Sequence, residues 1–141
     1  MFFYHLLDWF FTIFHSTLMI FNLIGWCFAK LRKLNLITLL LTASMWTIAG
    51  IWYGLGYCPL TDWHYDVLRI LGYHNLPNSY LQFIVHRLTG LNLSTPIADI
   101  ITVGGLILSL VISIILNYHD YQNKRKNRRE APKMLEDENV K

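Results

Sequence analysis

Side chains with acid–base, thiol or metal-binding chemistry are concentrated in a few stretches of the 141-residue sequence. Asp8 and His15 lie in the first long apolar segment, and Cys58 and His64 follow the second. Carboxylates and imidazoles are common proton carriers in enzyme sites, and a thiolate is a strong nucleophile. One hypothesis is therefore a polar pocket at one end of the protein, with the candidate residues Asp8, His15, Asn22, Cys58, Thr61, His64, His86 and Asp99.

Metal or haem binding finds little support in the spacing of these residues. Cysteine, aspartate and histidine between residues 58 and 64, together with His86, are suitable ligand types, but no C-x2-C or H-x3-H pattern pairs them. His15 is the one histidine well inside an apolar segment, so haem held by two histidines is not expected. We therefore expect no cofactor and no metal, with the remaining histidines bonded to backbone or water.

Nucleophilic catalysis by Cys58 with His64 is a further alternative. Pro59 and Thr61 predict a helix that begins at Asp62, with Thr61 as its N-cap. Cys58 would then precede the helix by a turn, where the helix dipole does not favour the thiolate. The sequence therefore gives little support to an activated thiol, and a non-enzymatic function is favoured.

The segments that must position these residues are long and apolar. The chain is 54% hydrophobic and only 15% charged, whereas average protein composition is about a quarter charged residues. Its apolar residues form blocks at about 6–28, 35–56 and 96–118, and each block is long enough as a helix to cross a hydrocarbon core of ~30 Å. The sequence predicts an all-α membrane protein with three transmembrane helices in a single membrane domain, residues 1–119.

The outer loop between the second and third spans is predicted to contain two short interfacial helices. The first runs from about residue 62 to 71, and Gly72 ends it in the left-handed conformation. The second runs from about residue 80 to 89. Thr95 is expected to cap the third span, with Pro96 at the first helical position.

Basic residues predict the orientation. Lys30, Arg32 and Lys33 occupy the first connection and seven Lys and Arg residues follow the third span, whereas the loop has only two. The positive-inside rule then places the first connection and the tail in the cytoplasm, and the N-terminus and residues 57–95 in the periplasm, of a bacterial inner-membrane protein. The net charge of +3 reflects this asymmetry, so nucleic-acid binding is not expected.

The tail, residues 120–141, is basic and then acidic. We expect it to be partly disordered. Its basic half is expected to contact anionic lipid headgroups, because each such charge near the surface contributes ~1 kcal/mol. The candidate residues are Lys124, Arg125, Lys126, Arg128 and Arg129.

Two stripes predict how the spans pack. Between Asp8 and Trp26, every third or fourth residue is polar or semi-polar, so this face must meet protein or water because lipid contact would be costly. In the third span, Gly105, Ser109 and Ser113 repeat small residues at a spacing of four, which is typical of close helix packing. Their partner is either this chain or another one.

The run Cys58-Pro59-Leu60-Thr61 follows the second span. Further characteristic residues and residue pairs lie elsewhere: His15, Leu68-Arg69, Gly72, Phe83-Ile84 and His86. Together they resemble the small bacterial membrane proteins of the domain-of-unknown-function family 2784, over roughly the whole chain except the tail. That family usually has glutamate where this chain has His64, which cannot complete the Thr-x-x-Glu capping box. The resemblance implies a similar span count and a bacterial origin, and it brings no established activity.

Two functions remain open. The first is an accessory or scaffold subunit of a larger membrane complex, which is motivated by small size, the small-residue stripe and the lack of a catalytic constellation. The alternative is a membrane-embedded binding or enzymatic unit whose polar pocket at the outer surface takes a lipid, a metal or haem. The expected partners are membrane lipids and other membrane protein subunits, and no nucleic acid.

Overall fold

The computed structural model describes residues 1–53 and 57–138, with side chains described as far as residue 130. Within these residues the chain is helical with no strand. The helices are α1 (Phe2–Ile24), α2 (Arg32–Ile48), α3 (Gly50–Tyr53), α4 (Pro59–Ile70), α5 (Tyr80–Thr89) and α6 (Thr95–Glu138), and a 3₁₀ turn at Gly25–Cys27 follows α1.

Three helical segments are long and apolar enough to cross a membrane: Phe2–Cys27, Arg32–Tyr53 and Thr95–Glu130. Large apolar side chains such as Phe10, Ile13 and Ile107 are exposed on them, as expected where lipid is the solvent. The predicted all-α membrane protein with three spanning helices is therefore confirmed.

The small-residue stripe of α6 packs inside this chain. A Cβ at Gly105 would lie 3.3 Å from the Leu23 side chain, and the Ser109 hydroxyl donates to the Leu23 carbonyl at 3.2 Å. The Ser113 hydroxyl donates to Asn35 Oδ1 at 3.0 Å. The sequence left open whether this stripe packs against the same chain or another one. These contacts are all with helices of the same chain.

Polar side chains fasten α1, α2 and α6 together near the tail. Asn35 is fully buried and its amide donates to the Phe21 carbonyl at 2.8 Å. The Asn117 amide donates to the Arg32 carbonyl at 3.1 Å, and Arg32 pairs with Asp120 at 3.0 Å. We call Arg32, Asn35, Ser113, Asn117 and Asp120 the Asn35 cluster, and the end of the bundle where it lies the tail end.

The two short helices α4 and α5 pack at the other end, where α1 begins. Tyr65 and Leu68 of α4 form a buried apolar cluster with Tyr80 and Ile84 of α5, against which Met19 of α1 also packs. This packing holds both helices against α1. It also places side chains of α4 and α5 against the polar stripe of α1.

The start of α4 differs from the prediction. The helix begins at Pro59, with Cys58 as its N-cap, so Thr61 is not the cap. Proline is well suited to the first helical position because its fixed φ matches the helix and its missing N–H would have had no partner there. The Thr61 amide instead donates to the Cys58 carbonyl at 3.0 Å.

The end of α4 matches the prediction. Gly72 has φ of 95°, which glycine adopts without strain. Its amide donates to the Arg69 carbonyl at 3.0 Å, and the Tyr73 amide donates to the Leu68 carbonyl at 3.0 Å, which together form a Schellman motif.

The spans also extend beyond the predicted ends. The α6 backbone is helical to Glu138, whereas the third span was predicted to end at about residue 118. Lys, Arg, Glu and Gln are good helix formers and can continue a helix that a span has already nucleated. α6 begins one residue before the predicted position, because the Ala98 amide donates to the Ser94 carbonyl. Gly54 and Gly56, at the predicted end of the second span, lie outside the described residues.

Candidate functional site

The buried carboxylate of Asp8 is the centre of a polar cluster between α1, α4 and α5. Asp8 is 5% exposed. The Arg87 guanidinium donates to both of its oxygens, at 2.7 and 2.8 Å, and His64 Nε2 lies 2.8 Å from Oδ1. Such a bidentate, charge-assisted pair is among the strongest hydrogen-bonding geometries in proteins. It ties the second short helix to the first span.

His64 connects Asp8 to Tyr80. An ionised carboxylate only accepts hydrogen bonds, so His64 Nε2 carries the proton and Nδ1 accepts from the Tyr80 hydroxyl, 3.1 Å away. Burial lowers the pKa of His64, against the opposing effects of the Asp8 hydrogen bond and charge. Burial raises the pKa of Tyr80. The imidazole is therefore neutral at neutral pH, and Asp8, His64 and Tyr80 form a carboxylate–imidazole–phenol chain.

Arg87 is held by more than its ion pair. Its guanidinium carbon lies 5.4 Å from the centre of the Trp9 ring and 5.6 Å from that of Phe83, and aromatic faces attract such cations. The hydrogen bond to Asp8 raises the pKa of Arg87. The side chain is 28% exposed, so it closes the cluster toward the surface.

His15 lies two turns further along α1, beside Cys58. The His15 ring stacks on Tyr80 with 3.9 Å between centroids, and its Nε2 lies 4.0 Å from the Cys58 sulfur. His15 is 6% exposed, and its Nδ1 is buried without a partner. Cys58 is half-buried at the N-terminus of α4. We call Asp8, His15, Cys58, His64, Tyr80 and Arg87 the Asp8–Cys58 site.

The structure brings four of the eight predicted pocket residues together: Asp8, His15, Cys58 and His64. Asn22 lies deeper in the bundle and donates to the Thr42 hydroxyl at 3.0 Å. His86 and Asp99 are exposed on other surfaces, and Asp99 borders a shallow surface depression with Ile100, Val103 and Gly104. Thr61 is within the first turn of α4 and caps nothing.

The sequence analysis missed Tyr80 and Arg87. A signal for Arg87 was present, since it is one of only two basic residues in the loop and Asp8 needed a buried counter-charge. The other, Arg69, pairs with the exposed Asp66 at 2.7 Å. Tyr80 gave no comparable signal, because an aromatic residue near a membrane surface is common.

The candidate metal ligands do not converge. In residues 1–53 and 57–130, no group of three or more His, Cys, Asp and Glu side chains is close enough to hold a metal ion. The Asp62 carboxylate accepts from the Tyr57 hydroxyl at 2.7 Å, which raises the pKa of Tyr57 to about 12. His64 is already bonded on both nitrogens. The arrangement is suited to proton transfer and to thiol chemistry.

Comparison with known proteins gives one match. No curated protein and no solved structure matches the chain. The model of one family matches residues 5–116, which include every residue of the Asp8–Cys58 site. The family predicted from the Cys58–Thr61 run and its companions is thereby confirmed. The chain belongs to the family described as Protein of Unknown function (DUF2784).

Proposed function

We propose that this protein is a membrane-embedded enzymatic or binding unit in which the Cys58 thiol is the reactive group and His15 its proton acceptor. One observation carries the proposal: a buried histidine faces a cysteine at a helix N-terminus and has no other polar partner on its ring. A buried polar atom without a partner costs roughly 1–3 kcal/mol. Among the four described buried atoms without a partner, only His15 Nδ1 belongs to a ring that faces a thiol.

The geometry brings the thiol and the imidazole together. Cys58 is the N-cap residue of α4. His15 Nε2, at 4.0 Å, is placed to take the thiol proton. Once it has done so, Nδ1–H is a donor with no acceptor in the described protein, so a bound substrate oxygen would complete its hydrogen bonding.

The remaining residues hold this pair in place. Tyr80 stacks on His15 and donates to His64, which Asp8 orients. Asp8 and His15 are seven residues, or roughly 10 Å, apart along α1, and Cys58 packs beside His15, which is further from the start of the span than Asp8. This depth supports a lipid-soluble substrate that reaches Cys58 from within the membrane.

The accessory-subunit hypothesis loses one of its supports. Ser109 and Ser113 are bonded to α1 and α2 of the same chain, so this stripe is not free to bind another subunit. Membrane lipids are the partners that we propose for the exposed apolar surface.

We also propose the orientation predicted from the basic residues. The tail end, with Lys30, Lys33 and the basic stretch of α6, would face the cytoplasm of a bacterial inner membrane. The Asp8–Cys58 site would then lie in the periplasmic half. Reporter fusions at residue 1 and at the tail check this directly.

Gentle purification from the native membrane, followed by native mass spectrometry, tests the proposed function. We expect a chain without stoichiometric protein partners that carries a small-molecule ligand or an adduct on Cys58. Cys58→Ser should abolish an adduct, and His15→Gln should reduce it, while Cys27→Ser is the control because Cys27 is exposed elsewhere. A stoichiometric protein partner with no ligand would instead support the accessory subunit.

A further inference from the structure

An open groove of about 560 Å³ lies at the tail end, between the start of α2 and the middle of α6. It is far from the Asp8–Cys58 site and independent of the function proposed above. Its walls carry four basic side chains and one carboxylate. These are Lys30, Arg32, Lys33, Lys124 and Asp120.

The single carboxylate of this groove is already engaged. Arg32 Nη1 contacts both oxygens of Asp120 at 3.0 Å. Lys30, Lys33 and Lys124 form no salt bridge with any residue whose side chain the structure describes. The groove therefore presents three cationic groups that have no counter-charge among the described side chains, and an external anion would neutralise them.

The N-terminus of α2 adds to this positive potential. The 17-residue helix begins at Arg32, and no side chain caps it. Its first backbone N–H groups have no intrahelical partner, and the helix dipole places partial positive charge there. Helix N-termini of this kind bind phosphate.

The depth of the groove indicates where the anion comes from. It lies where the apolar stretch of the third span ends, beside Tyr118 and Tyr121, whose side chains are exposed. Aromatic residues collect at the level of lipid headgroups. An anion at this depth is most readily supplied by the bilayer itself.

We propose that this groove binds the phosphate of an anionic phospholipid headgroup, with Lys30, Lys33 and Lys124 as its cationic ligands. This is narrower than a basic tail lying on the membrane surface. Of the five tail residues expected to contact headgroups, only Lys124 lines the groove. A free phosphate group has the same chemistry, so the experiment must separate the two sources.

Lipid binding by the full chain in a neutral detergent, measured by native mass spectrometry, tests the proposal. The wild-type protein should retain one phosphatidylglycerol in preference to phosphatidylcholine. The triple variant K30Q/K33Q/K124Q should bind phosphatidylglycerol on the order of a hundredfold more weakly. The control R125Q/R128Q/R129Q loses the same charge outside the groove, and its affinity should change by about threefold or less.

A second variant keeps the test meaningful if the triple variant misfolds. Asp120→Asn removes the competing carboxylate and should strengthen phosphatidylglycerol binding. Equal losses in the two triple variants would overturn the proposal, because they would indicate diffuse charge attraction. Inorganic phosphate that binds as tightly as the lipid would also overturn it, in favour of a soluble phosphate ligand.

Discussion

The Asp8–Cys58 site and the Asn35 cluster are polar assemblies at opposite ends of the same bundle, and they are built differently. In the Asn35 cluster the fully buried groups, Asn35 and Ser113, are neutral, and the ion pair of Arg32 with Asp120 is partly exposed. In the Asp8–Cys58 site a carboxylate and two imidazoles are buried together, and the guanidinium paired with the carboxylate is partly exposed. The structure thus joins its helices at the tail end through buried amides and hydroxyls, and at the other end through buried ionisable groups.

The two assemblies also differ in what they leave unpaired. Among the described residues, four side-chain atoms are buried without a partner, and none belongs to the Asn35 cluster. One of the four is His15 Nδ1, in the Asp8–Cys58 site. In the Asn35 cluster no ionisable side chain is fully buried, since both members of its ion pair are partly exposed. Charges and an unpaired nitrogen at the other end therefore indicate a role beyond joining helices.

Removal of Asp8 should have the largest effect on stability. Asp8→Asn leaves the half-buried Arg87 unpaired and weakens the bond to His64, and loss of one partner of a buried ion pair costs several kcal/mol. Because Arg87 is partly exposed, we expect a loss of about 2–4 kcal/mol. Unfolding by SDS in mixed micelles measures it. Asp66→Asn is the control, since its exposed pair with Arg69 should contribute less than about 1 kcal/mol. Equal losses of stability in Asp8→Asn and Asp66→Asn would show that the buried pair contributes no more than the exposed one.

Asn35→Ala should have the next largest effect and should be purely structural. The substitution deletes three hydrogen bonds that join α2 to α1 and α6, each worth roughly 0.6–2 kcal/mol in a membrane. We expect about 2 kcal/mol of destabilisation and no change in the alkylation rate of Cys58. A changed rate would mean that the two ends are coupled.

Two glycines allow a closely packed position to be compared with a position on open surface. A Cβ at Gly25 would lie 2.7 Å from Asn35 Nδ2 and 3.0 Å from Phe21, whereas at Gly104 it would meet nothing within 4 Å. Gly25→Ala should cost about 1–2 kcal/mol because it displaces Asn35, and Gly104→Ala should stay within about 0.5 kcal/mol. The same SDS titration compares them. A neutral Gly25→Ala would show that the Asn35 bonds tolerate displacement.

The smallest effect expected is a pH dependence of stability through His64. Burial lowers the pKa of His64 below its ordinary value of 6.5, so the unfolded chain binds a proton that the folded one resists. Stability should therefore be complete above pH 6.5 and decline as the pH falls toward the lowered pKa. Melting temperatures across this range should fall less steeply in His64→Gln. Identical slopes would assign the acid sensitivity elsewhere.

Much of the fold could be predicted because each signal is local. Apolar length identified the three spans, and Gly72 fixed the end of α4 through its left-handed backbone. The predicted start of α4 was wrong because Pro59 and Thr61 are both common at helix starts, and they lie two residues apart. Only the packed structure decides between them.

The site was harder to predict because it depends on contacts between distant residues. Span periodicity placed Asp8 and His15 on a protein-facing side of α1, which the structure bears out. Asp99 lies at a similar depth in its span, but packing leaves it exposed. The pairing of Asp8 with Arg87, 79 positions away, follows from how α5 packs, which no spacing rule encodes.

The central claim, that His15 activates the Cys58 thiol, is tested most directly by the alkylation rate of Cys58. The measurement uses iodoacetamide on the folded protein at neutral pH, in a Cys27→Ser background where Cys58 is the single thiol. His15→Gln should slow the reaction by about tenfold or more, while leaving the rate of Cys27 unchanged in a Cys58→Ser background. An unchanged or faster rate for Cys58 without His15 would contradict the account.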